Sequence, residues 1–373
     1  AGLPELIRQQ KMGIIFSQSK AYRDLDVTGI AKISDDDAWT TFRVARWGNT
    51  EQTECPDCKK WDKHYFIKTR KQWTCKECKH RFSVTSSTPL SSHKLSLAKL
   101  LLILYFYISS PQGKSANQLH SQINTTLRTV FHNLGKIREV LYETHDTSKM
   151  SGVVQVDCGH FCGKPRRANV RKKTDSFVVN NRLKSRKDGI VPDQRTHPES
   201  WNQTKLKKRR IVLTISQCDT TEADSRGSNR TLCFILKQEK ASSIIPLIKA
   251  HVDRKALIWT DSGNAFKPIY TELGNIHAAV NHSLEYMTKD GVNNNMAESL
   301  FSRIRRAEFG TYNGMRPQYL AFYAAEFAWR HDSRKLSLSQ KFDGVLKKIL
   351  SREPSKAFAG YFQGHRLAFE YIH

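Results

Sequence analysis

Apolar residues recur along this chain with two different periods, and the period changes near residue 149. Before that point a spacing of three or four residues predicts helices. They are expected at 97–108, 115–122 and 126–142. After it, short apolar runs predict strands with one helix among them. The strands are expected at 151–157, 210–216, 231–236 and 256–261, and the helix at 241–252. This order predicts an α/β fold, with helices packed against a sheet.

A further helix is expected to begin in Val292–Arg306, where three asparagines precede an apolar repeat that starts at Met296. Asn295 and Glu298 lie three positions apart, so they share one face of its first turn. Three arginines follow within two further turns, at Arg303, Arg305 and Arg306. Taken alone, this is the pattern of an ordinary basic amphipathic helix.

The 373-residue chain has 61 Lys and Arg against 35 Asp and Glu, which gives a net charge of +26 and a pI near 9.8. Such an excess indicates a polyanionic partner, and favours nucleic acid over a membrane surface. The longest apolar run, Leu95–Ile108, is too short to cross a bilayer and contains Lys99. Ala1–Gln10 lacks a secretory signal pattern, so we expect a cytoplasmic protein, associated with the nucleoid in a prokaryote.

The positive charge is concentrated in 164–210, where sixteen Lys or Arg residues occur with four acidic ones. No apolar period continues through this segment, so we expect a loop or hairpin insertion between strands that contacts DNA phosphates. The residues expected to bind DNA there are Lys164, Arg166, Arg167, Lys207, Lys208, Arg209 and Arg210.

Four of the eight cysteines lie in two close pairs, which indicates metal binding in a reducing compartment rather than a disulfide framework. The pairs, Cys55-Pro-Asp-Cys58 and Cys75-Lys-Glu-Cys78, have 16 residues between them. This spacing predicts a four-cysteine zinc ribbon, in which Zn²⁺ replaces the apolar core that so small a module lacks. A redox CxxC is disfavoured, because it needs one pair on a thioredoxin-like unit. Cys158, His160 and Cys162 lack a fourth partner and are expected to be packing residues.

The two helices expected at 115–122 and 126–142 have the proportions of a helix-turn-helix. The second helix would present polar residues to a DNA groove, namely Thr126, Arg128, Thr129, His132 and Asn133. A plain three-helix bundle that connects two domains is an equally open interpretation, because short helices with polar faces are common.

Three carboxylates are expected to meet at one site. Asp157 and Asp261 each end an apolar strand, and Glu298 lies in the first turn of the later helix. Carboxylates presented in this way can hold two Mg²⁺ ions about 4 Å apart, the arrangement that phosphodiester chemistry uses. Hard oxygen ligands favour Mg²⁺ or Mn²⁺, whereas the four thiolates favour Zn²⁺, so two separate metal sites are predicted.

In these segments the chain resembles the zinc-ribbon-bearing DDE insertion-sequence transposases of bacteria and archaea, the ISXO-like group with a ribonuclease-H-like catalytic core. The resemblance covers about residues 35–335. Its most specific parts are the two CxxC pairs and Asn295-Met-Ala-Glu-Ser-Leu-Phe-Ser-Arg303, which is similar to the family signature N-x-x-E-S-x-x-S-x-x-[KR]. The other matching segments are Phe82–Thr88, Val154–Asp157, Trp259–Asp261 and Ala325–Arg330.

The resemblance implies that Asp157 and Asp261 are the first two catalytic acids. The third position is Glu or Asn in members of the family; we favour Glu298 over Asn295, because only a carboxylate neutralises a divalent ion. The basic residue that follows is Arg303 or Arg305, which would bind a phosphate near the cleaved end.

The implied protein has a ribonuclease-H-like mixed sheet flanked by helices, and it binds double-stranded transposon ends and target DNA, cleaves and joins strands with Mg²⁺, and acts as a homodimer or larger complex. The expected domains are an N-terminal segment, a zinc ribbon, a helix-turn-helix, a catalytic domain with the basic insertion and a C-terminal tail. Their bounds are 1–54, 55–94, 95–148, 149–335 and 336–373. Two alternatives stay open: a catalytically silent, transposase-derived DNA-binding protein, and a ribonuclease-H-like nuclease for branched or hybrid substrates.

Overall fold

A computed structural model describes residues 16–162, 209–218, 228–280, 293–360, 367 and 370–373. In this part of the chain a small cysteine-rich module, a group of helices and a five-stranded mixed sheet follow one another. No helix within those ranges is long and apolar enough to cross a membrane. Short 3-10 turns lie at Phe16–Gln18, Lys68–Arg70 and Ser333–Lys335, and π-helical turns at Ile269–Leu273 and Ala307–Thr311.

The cysteine-rich module is built from five short strands, and a helix packs against it. Two helices precede it, α1 (Val27–Ala31) and α2 (Asp35–Trp47). The strands are β1 (Thr53–Glu54), β2 (Trp61–Asp62), β3 (Tyr65–Ile67), β4 (Gln72–Thr74) and β5 (Arg81–Ser83). Trp39 of α2 stacks on Trp73 of β4 with ring centroids 5.4 Å apart. The segment before residue 55, to which the sequence assigns no chemistry, therefore supplies part of the module's aromatic core.

Three helices follow close to their predicted positions: α3 (Leu97–Ser109), α4 (Ala116–Gln122) and α5 (Leu127–Glu143). Each begins at a hydroxyl side chain that accepts a hydrogen bond from the backbone N–H three residues later. These N-caps are Ser96, Ser115 and Thr126. The apolar faces of the three helices bury a common core with Phe42 of α2.

The sheet contains β6 (Val153–Phe161), β7 (Arg210–Cys218), β8 (Ser228–Leu236), β9 (Leu257–Asp261) and β10 (His277–Val280). Its spatial order is β10-β9-β6-β7-β8. The pairs β6–β7 and β7–β8 are antiparallel, whereas β9 is parallel to β6 and β10 is parallel to β9. The sheet is therefore mixed, with β6 at its centre.

Helices cover both faces of the sheet. α6 (Ala241–His251) packs on the face that carries Val154 and Val156 of β6. α7 (Asn295–Arg306) and α8 (Pro317–Asp332) pack on the other face, which carries Phe161.

One prediction about β6 is wrong: Asp157 does not end the strand. Residues 157–161 continue to pair with β7, from Asp157↔Thr214 to Phe161↔Arg210. In the sequence, Gly159 suggests a turn after Asp157. In the structure it allows α7 to pack closely on the strand, because a Cβ there would lie 2.7 Å from the Phe301 ring of α7. What ends near Asp157 is the pairing of β6 with β9, whose last partners are Gln155 and Trp259.

The segment from residue 336, expected to be a tail, contains a further helix, α9 (Leu338–Leu350). Ser337 and Gln340 form a capping box at its start. Its apolar residues Phe342, Val345 and Leu346 enter the core that α2, α3 and α5 share, so the chain returns to its N-terminal half.

A buried cluster of charged side chains connects α8 to the helices of that N-terminal half. Glu326 of α8 accepts hydrogen bonds from Arg138 of α5 at 2.6 Å and from Arg330 at 2.7 Å. Arg330 also donates to the backbone oxygens of Tyr107 and Ser110 at the end of α3. These contacts fix the helical group against the sheet.

Candidate active site and zinc site

The four paired cysteines form a compact set of sulfur ligands. Cys55 Sγ lies 3.6 Å from Cys78 Sγ, and Cys58 Sγ lies 3.6 Å from Cys75 Sγ. All four sulfur atoms lie within 4.8 Å of one another. A tetrahedral Zn²⁺ with Zn–S bonds of about 2.3 Å holds its sulfurs about 3.8 Å apart, so the set fits structural zinc.

Backbone N–H groups in the second CxxC turn favour the thiolate that zinc requires. Burial opposes ionisation of Cys75, but the N–H groups of Cys78 and Glu77 donate to its sulfur, and the net effect lowers its pKa to about 7. Burial and the neighbouring cysteine sulfurs raise the pKa of Cys78 instead, so the predicted structural zinc site is supported by its geometry and its set of four sulfur ligands.

Asp157 and Asp261 lie side by side where two parallel strands separate. Each is two residues beyond the last paired residues of β6 and β9, Gln155 and Trp259. Asp157 Oδ1 accepts a hydrogen bond from Cys158 N at 2.7 Å, and Asp261 Oδ1 accepts one from Gly263 N at 3.0 Å. One hydrogen bond for each carboxylate leaves further lone pairs to bind a ligand.

Two glycines make room for this arrangement. A Cβ on Gly263 would lie 2.8 Å from Asp261 Oδ1, so a side chain there would displace the carboxylate. Gly159 allows Phe301 to lie against β6 and brings α7 close to Asp157. A side chain at either glycine would therefore meet a residue of the site or of α7.

Gln155 fixes the start of α7 to the central strand. Its amide oxygen accepts a hydrogen bond from Met296 N at 3.0 Å, and its amide nitrogen donates to Asn293 Oδ1 at 3.1 Å. Gln155 is buried, and it is a polar residue between the apolar Val154 and Val156. Gln155 was not predicted as a site residue from the sequence, although a polar residue within a buried strand can be recognised there.

The polar residues of α7 lie at different angles from its buried face. Ala297, Leu300, Phe301 and Ile304 form its buried face. At about 100° per residue, Glu298 lies at the edge of this face, whereas Asn295 lies nearly opposite to it. Both side chains are exposed. Glu298 adds to the rise in the pKa of Asp157, and the choice of Glu298 over Asn295 as the third metal ligand stays a prediction.

A third asparagine, Asn294, was not selected from the sequence. It is fully buried, and within the described ranges neither its amide oxygen nor its amide nitrogen has a hydrogen-bond partner. It precedes Glu298 by four residues and so lies on the same side of α7. No pattern of the sequence separates Asn294 from its two neighbouring asparagines.

The charges of the neighbouring acids act on the pKa of Asp157. Burial, followed by the negative charge of Asp261, raises the pKa of Asp157 to about 7, and Glu298 and Glu239 add to the rise. The three carboxylates are not as compact as the cysteines: only the four thiolates, among the residues that the structure describes, have all ligand atoms within 4.8 Å. The negative charge around Asp157 is nonetheless what a divalent cation compensates, so these residues fit Mg²⁺ or Mn²⁺.

A fourth acid lies beside this group. Glu239, in the turn before α6, approaches His160 of β6 with Oε2 3.2 Å from Nε2. Cys158 lies two residues before His160 on β6, and burial, followed by the charges of Glu239 and Asp157, keeps the pKa of its thiol well above the usual range. Cys162 donates its backbone N–H to Glu308 at 3.0 Å.

The three arginines of α7 point in different directions. The Arg305 guanidinium lies over the rings of Phe161 and Phe301, 5.7 and 5.8 Å from their centroids. Seven residues make almost two turns, so Arg305 lies on the same flank as Glu298. Arg303 lies about 200° from Arg305, and Arg306 is exposed and donates to Ser302 Oγ at 3.2 Å.

The residues expected to read DNA begin at an exposed helix terminus. Thr126 and Thr129 bond to each other at the start of α5, with hydroxyl oxygens 2.8 Å apart. Arg128 is exposed, and Asn133 donates to Thr129 O at 2.8 Å. His132 is half-buried. These positions are compatible with a groove-binding helix, and the helix-turn-helix remains a prediction.

Most of the predicted basic insertion, residues 164–210, lies outside the described part of the chain. Five of the named residues lie outside the described part of the chain: Lys164, Arg166, Arg167, Lys207 and Lys208. Arg209 is exposed. Arg210 forms a two-point ion pair with Glu370, at 2.6 and 2.8 Å, so its guanidinium is not simply available to DNA.

Models of known protein families match both the segment with the carboxylate site and the segment with the four cysteines. Residues 149–332 match the model of an ISXO2-like transposase domain, and residues 33–81 match that of a transposase zinc-ribbon domain. The second match begins in the segment that contains α2, in agreement with the packing of that helix on the ribbon. No curated protein and no solved structure matches the chain. The chain belongs to the ISXO2-like DDE transposases that carry an N-terminal zinc ribbon.

Proposed function

We propose that this chain binds the terminal inverted repeats of a DNA element, cleaves strands at its ends and joins the resulting 3′-hydroxyls to target DNA with divalent metal ions. The observation that carries the proposal is the position of Asp157, next to Asp261 at the separation of two strands and within the field of Glu298. A group of acids in a basic protein is suited to cations that in turn bind phosphate.

Asp157, Asp261 and Glu298 would hold two Mg²⁺ or Mn²⁺ ions. When bound, such ions lower the pKa of an attacking water or 3′-hydroxyl and stabilise charge on the phosphate and the leaving oxygen. Gln155 holds the first turn of α7, and with it Glu298, against β6. Arg305 lies on the flank of α7 that carries Glu298, with its guanidinium group over two aromatic rings, and would hold a phosphate oxygen next to the carboxylates.

Topology supports a ribonuclease-H-like catalytic core. Three antiparallel strands lead into two parallel ones in the order 3-2-1-4-5, with the first acid on the central strand. The net charge of +26 supports DNA as the partner. α4 and α5 would form a helix-turn-helix that reads the transposon end, and the zinc ribbon would contact the adjoining DNA.

Substitution of Asp157 by Asn tests the catalytic assignment. The variant keeps the size of the side chain and removes its charge, so strand cleavage of a labelled transposon-end duplex with Mg²⁺ should fall by at least about 10³-fold, while end binding persists. Asp343→Asn, on the exposed side of α9, is the matched control and should cleave as the wild type does. Undiminished cleavage by the Asp157 variant would refute the assignment.

The same assay decides between the alternatives. A silent, transposase-derived binding protein would bind ends tightly and cut nothing with Mg²⁺ or Mn²⁺, even with all three acids present. A nuclease for branched or hybrid substrates would cut a four-way junction or an RNA–DNA hybrid in preference to the end duplex. The two DNA ends have to be processed together, so we expect a homodimer or larger complex, and a cytoplasmic, nucleoid-associated location in a prokaryote.

A further inference from the structure

A cleft of about 390 Å³, which we call the α9 cleft, lies at the edge of the sheet that β8 forms. It is enclosed by the end of α5, the start of β8, the end of α8 and one side of α9. The described residues that line it include neither the three acids of the carboxylate site nor the four paired cysteines. A volume in this range is typical of sites that bind small organic ligands.

A glycine in the middle of α9 keeps one side of the cleft open. Gly344 lines the cleft, and a Cβ at this position would have open space around it. Glycine is an unfavourable residue within a helix, and here no close packing contact requires it. The missing side chain instead leaves room for a ligand.

Two lysines of α9 contribute positive charge to the cleft, Lys341 and Lys348. Lys341 is only 8% exposed, and its ammonium group lies 4.7 Å from the centroid of the Tyr22 ring. Burial, followed by the charge of Arg330, lowers the pKa of Lys341 to about 8. Within the described ranges neither lysine forms an ion pair or a side-chain hydrogen bond.

The two acids that line the cleft have partners of their own. Asp146 forms an ion pair with Arg230 at 2.5 Å. Asp332 accepts hydrogen bonds from the backbone N–H and the hydroxyl of Thr231, both at 2.8 Å, and from Ser228 Oγ at 3.1 Å. The positive charge of the two lysines is therefore available to an anion.

Three polar atoms of the lining residues are buried without a hydrogen-bond partner in the described part of the chain: His145 Nε2, Arg230 Nε and Ser333 Oγ. Ser333 is only 5% exposed. Buried polar atoms of this kind destabilise a fold unless a partner bonds to them. The oxygen atoms of a bound ligand would supply such partners.

Another part of the lining is apolar. It includes one aromatic ring and four aliphatic side chains, those of Trp329, Leu141, Leu232, Leu336 and Val345. Trp329 is fixed by Tyr107, with the two rings stacked and their centroids 6.3 Å apart. The cleft therefore combines ammonium and hydroxyl groups, which suit a phosphate, with an apolar wall, which suits a flat aromatic group.

We propose that the α9 cleft is a nucleotide-binding site, in which Lys341, Lys348 and Ser333 bind the phosphate and the apolar wall around Trp329 contacts the base. The nucleotide is free or belongs to a DNA strand, since both sources present the same phosphate and base. The inference goes beyond the proposed function, because it requires neither the carboxylate site nor strand cleavage.

Calorimetric titration of the zinc-loaded full chain tests the site. A buffer without Mg²⁺ or Mn²⁺ excludes binding through a metal at the carboxylates. The probes are dAMP, deoxyadenosine, inorganic phosphate and a short single-stranded oligodeoxyadenylate. Lys341→Met and Lys348→Met each remove one charge, and Gly344→Leu fills the cleft with a side chain that favours a helix. Lys347→Met, exposed on α9 and outside the lining, is the matched control.

We expect dAMP to bind the wild type saturably, and at least about tenfold more tightly than deoxyadenosine or inorganic phosphate, each of which lacks one half of the ligand. Each of the three cleft variants should weaken this binding by at least about tenfold, whereas Lys347→Met should leave it within about twofold. Melting temperatures equal to that of the wild type would confirm that the variants fold.

The oligonucleotide identifies the source of the nucleotide. Weaker dAMP binding by the cleft variants assigns the site to a free nucleotide, and weaker binding of the oligonucleotide alone assigns it to a DNA strand; either result supports the proposal. If neither ligand distinguishes the cleft variants from Lys347→Met, the proposal is overturned. Saturable binding of inorganic phosphate as tight as that of dAMP would overturn it too, since the apolar wall would then contribute nothing.

Discussion

Two groups of charged side chains, one between α5 and α8 and one on β6, β9 and α7, differ in the charges that surround them. The cluster of Arg138, Glu326 and Arg330 is almost completely inaccessible, with exposed fractions of 4%, 0% and 7%. Burial raises the pKa of Glu326, but the two guanidinium groups outweigh it and hold the pKa below its usual range. In the carboxylate site burial, followed by the charge of Asp261, raises the pKa of Asp157 to about 7.

The charges around Glu326 stabilise the fold, whereas those around Asp157 are suited to binding a ligand. Around Glu326, each carboxylate oxygen accepts hydrogen bonds from an arginine, and Tyr312 adds another. Around Asp157, the charges that raise its pKa are those of Asp261, Glu298 and Glu239. A protein keeps like charges together, at a cost in stability, where a ligand compensates them.

The largest effect is expected from removing the charge at the centre of the balanced cluster. Glu326→Gln leaves Arg138 and Arg330 buried without a counter-charge, which should lower the free energy of unfolding by about 3–5 kcal/mol. Urea unfolding followed by tryptophan fluorescence measures it. The exposed Glu353→Gln is the control. A loss below about 1 kcal/mol would mean that the cluster is not the joint between helices and sheet that its geometry indicates.

His331 should make the protein sensitive to acid. Its pKa is about 4 in the fold and about 6.5 in an unfolded chain, so its contribution is complete above pH 6.5 and is lost as the pH falls to 4. In His331→Asn, the drop in unfolding free energy between pH 7 and pH 4 should be smaller by about 2–3 kcal/mol. His120→Asn, on the partly exposed surface of α4, is the comparison. An identical drop in wild type and His331→Asn would contradict the burial of this ring among arginines.

Periodicity predicted the long elements well, because their apolar faces are continuous. α3, α5, β7, β8 and α6 lie within a few residues of their expected bounds. β10 was missed because four residues carry too little pattern. α9 was missed although its capping box, Ser337 to Gln340, could be read in the sequence.

The candidate site was only partly predictable. Asp157, Asp261 and Glu298 were selected from strand and helix patterns, and that selection remains a prediction of catalysis. The strand end at Asp157 was wrong, because a glycine that admits Phe301 cannot be distinguished from a turn glycine without the packing partner. The phase of α7 was set from Met296, which is only half-buried, whereas Ala297 faces the core. Gln155 and Asn294 depend on contacts between distant segments.

A moderate effect is expected from Gln155, which connects the carboxylate site to a fixed element. Gln155→Leu removes two hydrogen bonds and leaves Met296 N without its partner, so the unfolding free energy should fall by about 1–2 kcal/mol. Cleavage should fall further than this loss explains, because Glu298 is no longer held against β6. Gln155→Glu retains the acceptor for Met296 N and should restore part of the stability but add a negative charge to the site. Equal cleavage by Gln155→Leu and wild type would show that α7 is positioned by its apolar face alone.

The smallest effect has the opposite sign and tests the comparison most directly. In a buffer at pH 8 without divalent cations, Asp157→Asn removes repulsion among the acids and should raise the unfolding free energy by about 1 kcal/mol, although it abolishes cleavage. Addition of Mg²⁺ should stabilise the wild type more than the variant, since a ligand stabilises only the state that binds it. Asp343→Asn should change neither value. If Asp157→Asn is less stable than the wild type without divalent cations, Asp157 is held by compensating contacts, and the carboxylate site does not differ from the Glu326 cluster in the way proposed.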